Sequence, residues 1–176
     1  MEEFSGERFL VYRSCIEGKE VLDIRTFVEG DGASYVCQVQ IGDDDETGDV
    51  YSVLVSLAPA IATPPNRMEL MFFLVRANPS TDFLEELQDG RQTKSFLASK
   101  DVRGSILNLI CSVSCELLNV AKPEVVHYMT AEAYLPDKAL RKYATLCDAL
   151  KTVGYEGREV DVYLGNHKWV LRRIVA

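Results

Sequence analysis

The sequence predicts an α+β fold: a mostly antiparallel mixed sheet with two main amphipathic helices, in one domain over residues 1–176. Three observations predict it. Through the first half, apolar and polar residues alternate with a period of two, which sends one set of side chains to a single sheet face. Over two long segments of the second half the period becomes three and four, the spacing of one helix face. Glycine, proline and acidic clusters punctuate the segments as turns do. Apolar residues make up 47% and charged residues 26%. A chain of this length and composition is expected to bury about 70% of its unfolded surface, enough for a core without staples.

The elements follow in order. Val21–Val28 reads as a strand ended by the turn signal Glu29-Gly30-Asp31-Gly32. Tyr35, Cys37, Val39 and Ile41 then alternate with mostly polar residues and are expected to face a core. Past the acidic run Asp43–Asp49, Val53, Val55 and Leu57 repeat the alternation, so the two strands form a hairpin. Pro59, Pro64 and Pro65 interrupt the pattern, and Met68–Val75 is apolar enough for a strand covered on both faces. A short helix is expected after Pro79-Ser80, with Phe83, Leu84 and Leu87 packing inward.

Val102, Ile106, Leu109, Ile110, Val113 and Leu117 mark a long helix, with Ser99 as its N-cap and Lys122-Pro123 as its stop. Glu124–Met129 reads as a strand. Pro136 opens a second helix whose stripe is Leu140, Tyr143, Cys147 and Leu150, and Gly154 closes it in the left-handed region. Val160, Val162 and Leu164 alternate as in a strand, Gly165-Asn166 turns, and Trp169 and Leu171 continue in a returning strand, with Trp169 expected in the core.

Net charge is −8, and it is unevenly shared: residues 1–90 hold 6 basic and 18 acidic side chains, residues 91–176 hold 13 and 9. An acidic total repels a phosphate backbone, so no nucleic-acid partner is expected. The start, Met1-Glu2-Glu3-Phe4, is acidic where an export signal is basic. The apolar run Leu70–Val75 falls far short of the about 20 residues that cross a bilayer, so no membrane role is expected. The five cysteines, Cys15, Cys37, Cys111, Cys115 and Cys147, sit mostly inside apolar patterns. They are expected as buried free thiols in a reducing, cytoplasmic setting.

The order of helix, strand, helix and closing hairpin over residues 95–175, with Val153-Gly154-Tyr155-Glu156 ending the last helix, resembles the later half of the GNAT-type N-acyltransferase fold. The resemblance implies an acetyl-CoA or other acyl-CoA cofactor whose pyrophosphate meets the N-terminus of the long helix. Helix N-termini attract phosphate through unpaired N–H groups and a partial positive charge. Lys100, Arg103, Gly104 and Ser105 are then the cofactor-binding residues, with Arg91 and Lys94 adding positive charge. One glycine stands where the family's phosphate loop has two, and Asp101 adds a negative charge, so the implied site is degenerate. Under the same resemblance the strand carrying His127 borders the acceptor cleft, and His127 is the catalytic base.

Other constellations have blander readings. Cys111 and Cys115 share a helix face, and with His127 they lack the tight spacing and fourth ligand of a zinc site; no metal is expected. No Gly-x-Ser-x-Gly elbow accompanies the two histidines, and His167, after a turn, is expected to be exposed. Asp43, Asp44, Asp45 and Glu46 form either a solvated hairpin tip or the contact surface for a basic protein partner. Two functions stay open: an acyl-CoA-binding, GNAT-like protein, and a non-catalytic interaction or inhibitor protein with an acidic face.

Overall fold

The computed structural model describes residues 13–14, 24–29, 32–60, 66–87, 93, 97, 99–130 and 132–174. The expected strand start at Val21–Asp23, the turn at Gly30-Asp31, Pro64, Pro65, Arg91, Lys94 and Cys15 lie outside them. The strands are β1 (Arg13–Ser14), β2 (Ile24–Glu29), β3 (Gly32–Asp44), β4 (Asp49–Pro59), β5 (Arg67–Asn78), β6 (Phe83–Leu87), β7 (Val125–Met129), β8 (Tyr155–Tyr163) and β9 (Asn166–Arg173). The helices are α1 (Lys100–Ala121) and α2 (Asp137–Lys151).

Together they make an α+β fold on one mixed sheet, ordered β1-β3-β4-β5-β7-β9-β8, with β2 also on β3 and β6 also on β5. Every described pairing is antiparallel except β5 with β7. That parallel join needs a crossover, which α1 supplies. α1 packs on β3, β4 and α2, and α2 packs on β8.

The period-two residues behave as expected. Cys37, Val39, Ile41, Val53, Val55 and Leu57 are buried beneath Ile106, Ile110, Val113, Leu117 and Leu118 of α1. α1 has the length and apolarity of a membrane-crossing helix. Its buried stripe belongs instead to this core. Ser99 caps it, its hydroxyl accepting from the Val102 amide at 3.4 Å. Lys122 ends it in the left-handed region at φ 49°, with its amide on the Leu118 carbonyl. α2 buries Tyr143, Leu146, Cys147 and Leu150, and Gly154 at φ 84° turns the chain into β8.

Three expectations need correction. Met71 is 41% exposed, so the strand β5 is not covered on both faces. The segment after Pro79-Ser80 is the strand β6, because Asn78 holds a tight turn. The Asn78 side chain accepts from the Ser80 amide at 3.0 Å and its carbonyl from the Thr81 amide at 3.2 Å. The chain then folds straight back along β5, pairing Phe83 with Asn78 and Leu87 with Leu74. Only Leu87 is buried; Phe83 and Leu84 are 42% and 67% exposed. At the other hairpin the turn is not Gly165-Asn166, and Val162 and Leu164 are exposed. Val160 already pairs with Lys168, off the face of Trp169 and Leu171, and Val162 and Leu164 follow it; the turn residues are Leu164 and Gly165, at φ 50° and 83°.

Candidate functional site

Lys100, Gly104 and Ser105 are exposed at the start of α1, so its tip is open to solvent. Its own groups occupy part of it. Ser99 takes the Val102 amide through its side chain and the Arg103 amide through its carbonyl, at 3.2 Å. The Arg103 guanidinium donates to the Leu97 carbonyl, so it braces the approach to the helix instead of reaching outward. Asp101 is exposed in the first turn and opposes an incoming anion. Gly104 has open space around it.

His127 lies elsewhere. On β7, Val126 and Tyr128 are fully buried toward the helices, so the half-buried His127 points to the opposite sheet face. The expected base and the expected phosphate seat are therefore on different faces. Burial holds the His127 pKa below the ordinary histidine value, with Lys168 and Arg67 adding to the effect and Glu69 opposing it. The imidazole is thus neutral near pH 7 and able to accept a proton.

His127 sits where β5 and β7 stop pairing. Their ladder covers Arg67↔Val125, Met68↔Val126 and Glu69↔His127. From Leu74 onward the same edge of β5 is taken by β6. Among the described residues, Leu70–Phe73 have ladder partners on the β4 side only. Aromatic rings gather on the helix side of this interval. Tyr143 of α2 stacks on Trp169 with ring centroids 4.9 Å apart, lies 6.3 Å from Tyr128 and meets Phe72 of β5 at 5.9 Å. The Tyr128 hydroxyl donates to the Tyr143 carbonyl at 3.0 Å. Burial pushes the Tyr128 pKa well above the usual phenol value, so this hydroxyl stays a structural donor.

The acidic run is a built turn and only partly a solvated tip. Asp44 is buried, its carboxylate accepting from the Glu46 amide at 2.9 Å and the Thr47 amide at 3.4 Å. Asp49, also buried, accepts from the Asn78 amide group at 2.8 Å and pairs with Arg76 at 2.9 Å. Burial raises its pKa, but hydrogen bonds from Asn78 and Thr47 and the Arg76 charge outweigh that and leave it below the ordinary aspartate value. Asn78 also donates to the Thr47 carbonyl at 2.8 Å. Asp43 is half-buried, while Asp45 and Glu46 are exposed.

The same anchors hold β6. Arg76 lies 5.1 Å over the Phe83 ring and 3.8 Å from the Glu85 carboxylate. One end of the sheet thus carries exposed Asp45, Glu46, Asp82 and Glu86 beside exposed Phe83 and Leu84. Sequence reasoning missed Arg76 and Asn78, and it expected Phe83 and Leu84 to pack inward from a helix. Asn78-Pro79 is a turn signal and was available to find the hairpin.

The thiols Cys37, Cys111 and Cys147 are buried, and Cys115 is half-buried. Burial and the neighbouring Cys115 push Cys111 up to about 11, which keeps it an inert thiol. No cluster of metal-ligating side chains occurs among the described residues. His167 is half-buried, contrary to expectation, because its imidazole bonds to Glu159 across the hairpin and stacks near Trp169. A cavity of about 190 Å³ lined by Arg25, Phe27, Val36 and Gln38 lies on β2 and β3, separated from β7 by β4 and β5. Compared with protein-family models, curated proteins and solved structures, the chain gives no match.

Proposed function

We propose that this chain is a GNAT-like scaffold without acyl transfer, and that it works in the cytoplasm by binding a basic protein partner at the acidic end of its sheet. The observation that carries this reading is the joint anchoring of the Asp44–Asp49 turn and β6 by Asn78 and Arg76. It gives a fixed surface of exposed carboxylates beside Phe83 and Leu84. Fixed charges attract a partner without an ordering cost, and apolar contacts at their side add affinity. The scaffold part is supported by the parallel neighbours β5 and β7 with α1 between them in sequence. The loss of transfer is supported by β6 lying on the β5 edge, by Ser99 and Arg103 bonding to backbone groups of their own chain at the start of α1, and by His127 on the far face.

The unmatched β5 edge at Leu70–Phe73 favours a second reading, acyl-CoA binding. The arm of CoA carries amides that could pair with such an edge, and the α1 tip is open to phosphate.

One pair of measurements separates the two. A fluorescent decapeptide of alternating lysine and leucine should bind the intact chain, and D45N/E46Q/L84S should weaken it roughly tenfold, as loss of a few exposed contacts does. Equal affinity for both proteins would refute the acidic surface. Millimolar acetyl-CoA should leave the melting temperature unchanged; a rise of several degrees, removed by K100E, would establish the second reading.

A further inference from the structure

β8 is the last strand on its side of the sheet. β9 pairs with one of its edges from Tyr155 to Val160, and the other edge meets no strand among the described residues. An open edge offers unpaired N–H and C=O groups to another chain. Proteins commonly blunt such an edge with charged side chains, lysine above all. Here the signs alternate about a glycine: Glu156, Gly157, Arg158. Glu156 and Arg158 are exposed, and among the described residues neither side chain makes a hydrogen bond or close ion pair, although Arg172 stands opposite Glu156 on β9 and Lys151 of α2 feels its charge. Both charges project from the sheet face turned away from α2, since Trp169 and Leu171, the core residues of β9, pair with Glu159 and Gly157 instead.

We propose that β8 is a self-association edge, and that its partner is a second copy of this chain. Two antiparallel copies of one edge are related by a two-fold axis perpendicular to the sheet. Such an axis makes a residue face its own copy at the centre, and residues at equal steps on either side face each other on the same sheet face. Centred on Gly157, it sets Glu156 opposite Arg158 of the second copy and Arg158 opposite its Glu156, two oppositely charged cross-strand pairs. Centred on Arg158 it would oppose two arginines, and centred on Glu159 two glutamates. The glycine register is the one in which this edge complements itself; Gly157 is exposed, its missing side chain faces Val170 and Leu171 of β9, and its carbonyl accepts a long contact of 3.9 Å from the Cys147 thiol. The surface lies on the far side of β7 and β9 from the acidic turn, so it is independent of the proposed partner site.

Sedimentation equilibrium of the full chain tests this. The expected mass is twice 19.7 kDa at high micromolar concentration, falling toward 19.7 kDa on dilution. E156R and R158E each set like charges opposite one another at both pairs. Each should raise the dimer dissociation constant about tenfold or more, and the combined E156R/R158E should restore it, because the swapped edge is again self-complementary. Circular dichroism melts report folding directly: R158E should match the parent, and E156R should fall slightly because it sets a second arginine opposite Arg172. A monomer at every concentration, a dimer indifferent to the single reversals, or a double reversal that fails to restore association would each overturn the proposal.

Discussion

At the residue scale, Asp49 does the most with one side chain. Its carboxylate ties together three parts of the chain: its own turn, Asn78 at the end of β5, and Arg76 two residues earlier. Asp49→Asn should destabilise the fold by about 1–3 kcal/mol, the usual cost of removing a charged partner from a buried hydrogen-bonded group. The acid limb of stability gives the same answer by another route. Because the folded pKa lies below the ordinary aspartate value, Asp49 contributes stability that is present above the unfolded value of 3.8 and is lost as pH falls through the folded one. Chemical denaturation between pH 6 and 2 should show a shallower loss for the variant; parallel curves would mean the carboxylate has no net role. Single-residue signals carried well from the sequence where the cause was local. Ser99 as cap, Lys122 as stop and Gly154 at positive φ are dictated by their immediate neighbours. His167 was illegible because its partner Glu159 lies across a hairpin, and its burial depends on that pairing.

At the element scale, periodicity located the long helices and the strands β3, β4 and β9, since each presents one face to one core. It failed on β6. Phe83-Leu84-Glu85-Glu86-Leu87 fits a helical turn as well as a short strand, and five residues are too few for the period to decide. Tertiary pairing along β5 decides it. The β8–β9 turn was misplaced by one residue for a related reason: the register shift before it moves Leu164 into the left-handed region, where an aliphatic side chain is strained. Leu164 is 73% exposed, so little packing is lost on replacing it. Leu164→Asn would complete an Asn-Gly turn of the kind this hairpin requires and should stabilise by about 0.5–1 kcal/mol. In a thermal melt that is a rise of about 1–4 °C for a chain of this size; a fall would show the turn to be of another type.

For the whole molecule, the net charge of −8 conceals a division that the fold makes spatial. The antiparallel strands bring the acidic turn, Asp82 and Glu86 to one end of the sheet. Arg67, Lys122, Arg172 and Arg173 gather at the other, where β5 and β7 begin and β9 ends. The sequence showed the imbalance between halves but not its direction in space, because sheet order follows from long-range pairing. The seat expected for phosphate was legible as a helix tip; its bracing by Arg103 and the separation from His127 were not. The account rests on the anchored acidic end as the working surface. Amide chemical-shift mapping of the isotope-labelled chain, titrated with the lysine–leucine decapeptide, tests that directly. The account predicts saturable shifts confined to Asp45–Gly48 and Phe83–Leu87. Shifts centred on Leu70–Phe73 and Lys100–Val102, or none at saturating peptide, would contradict it.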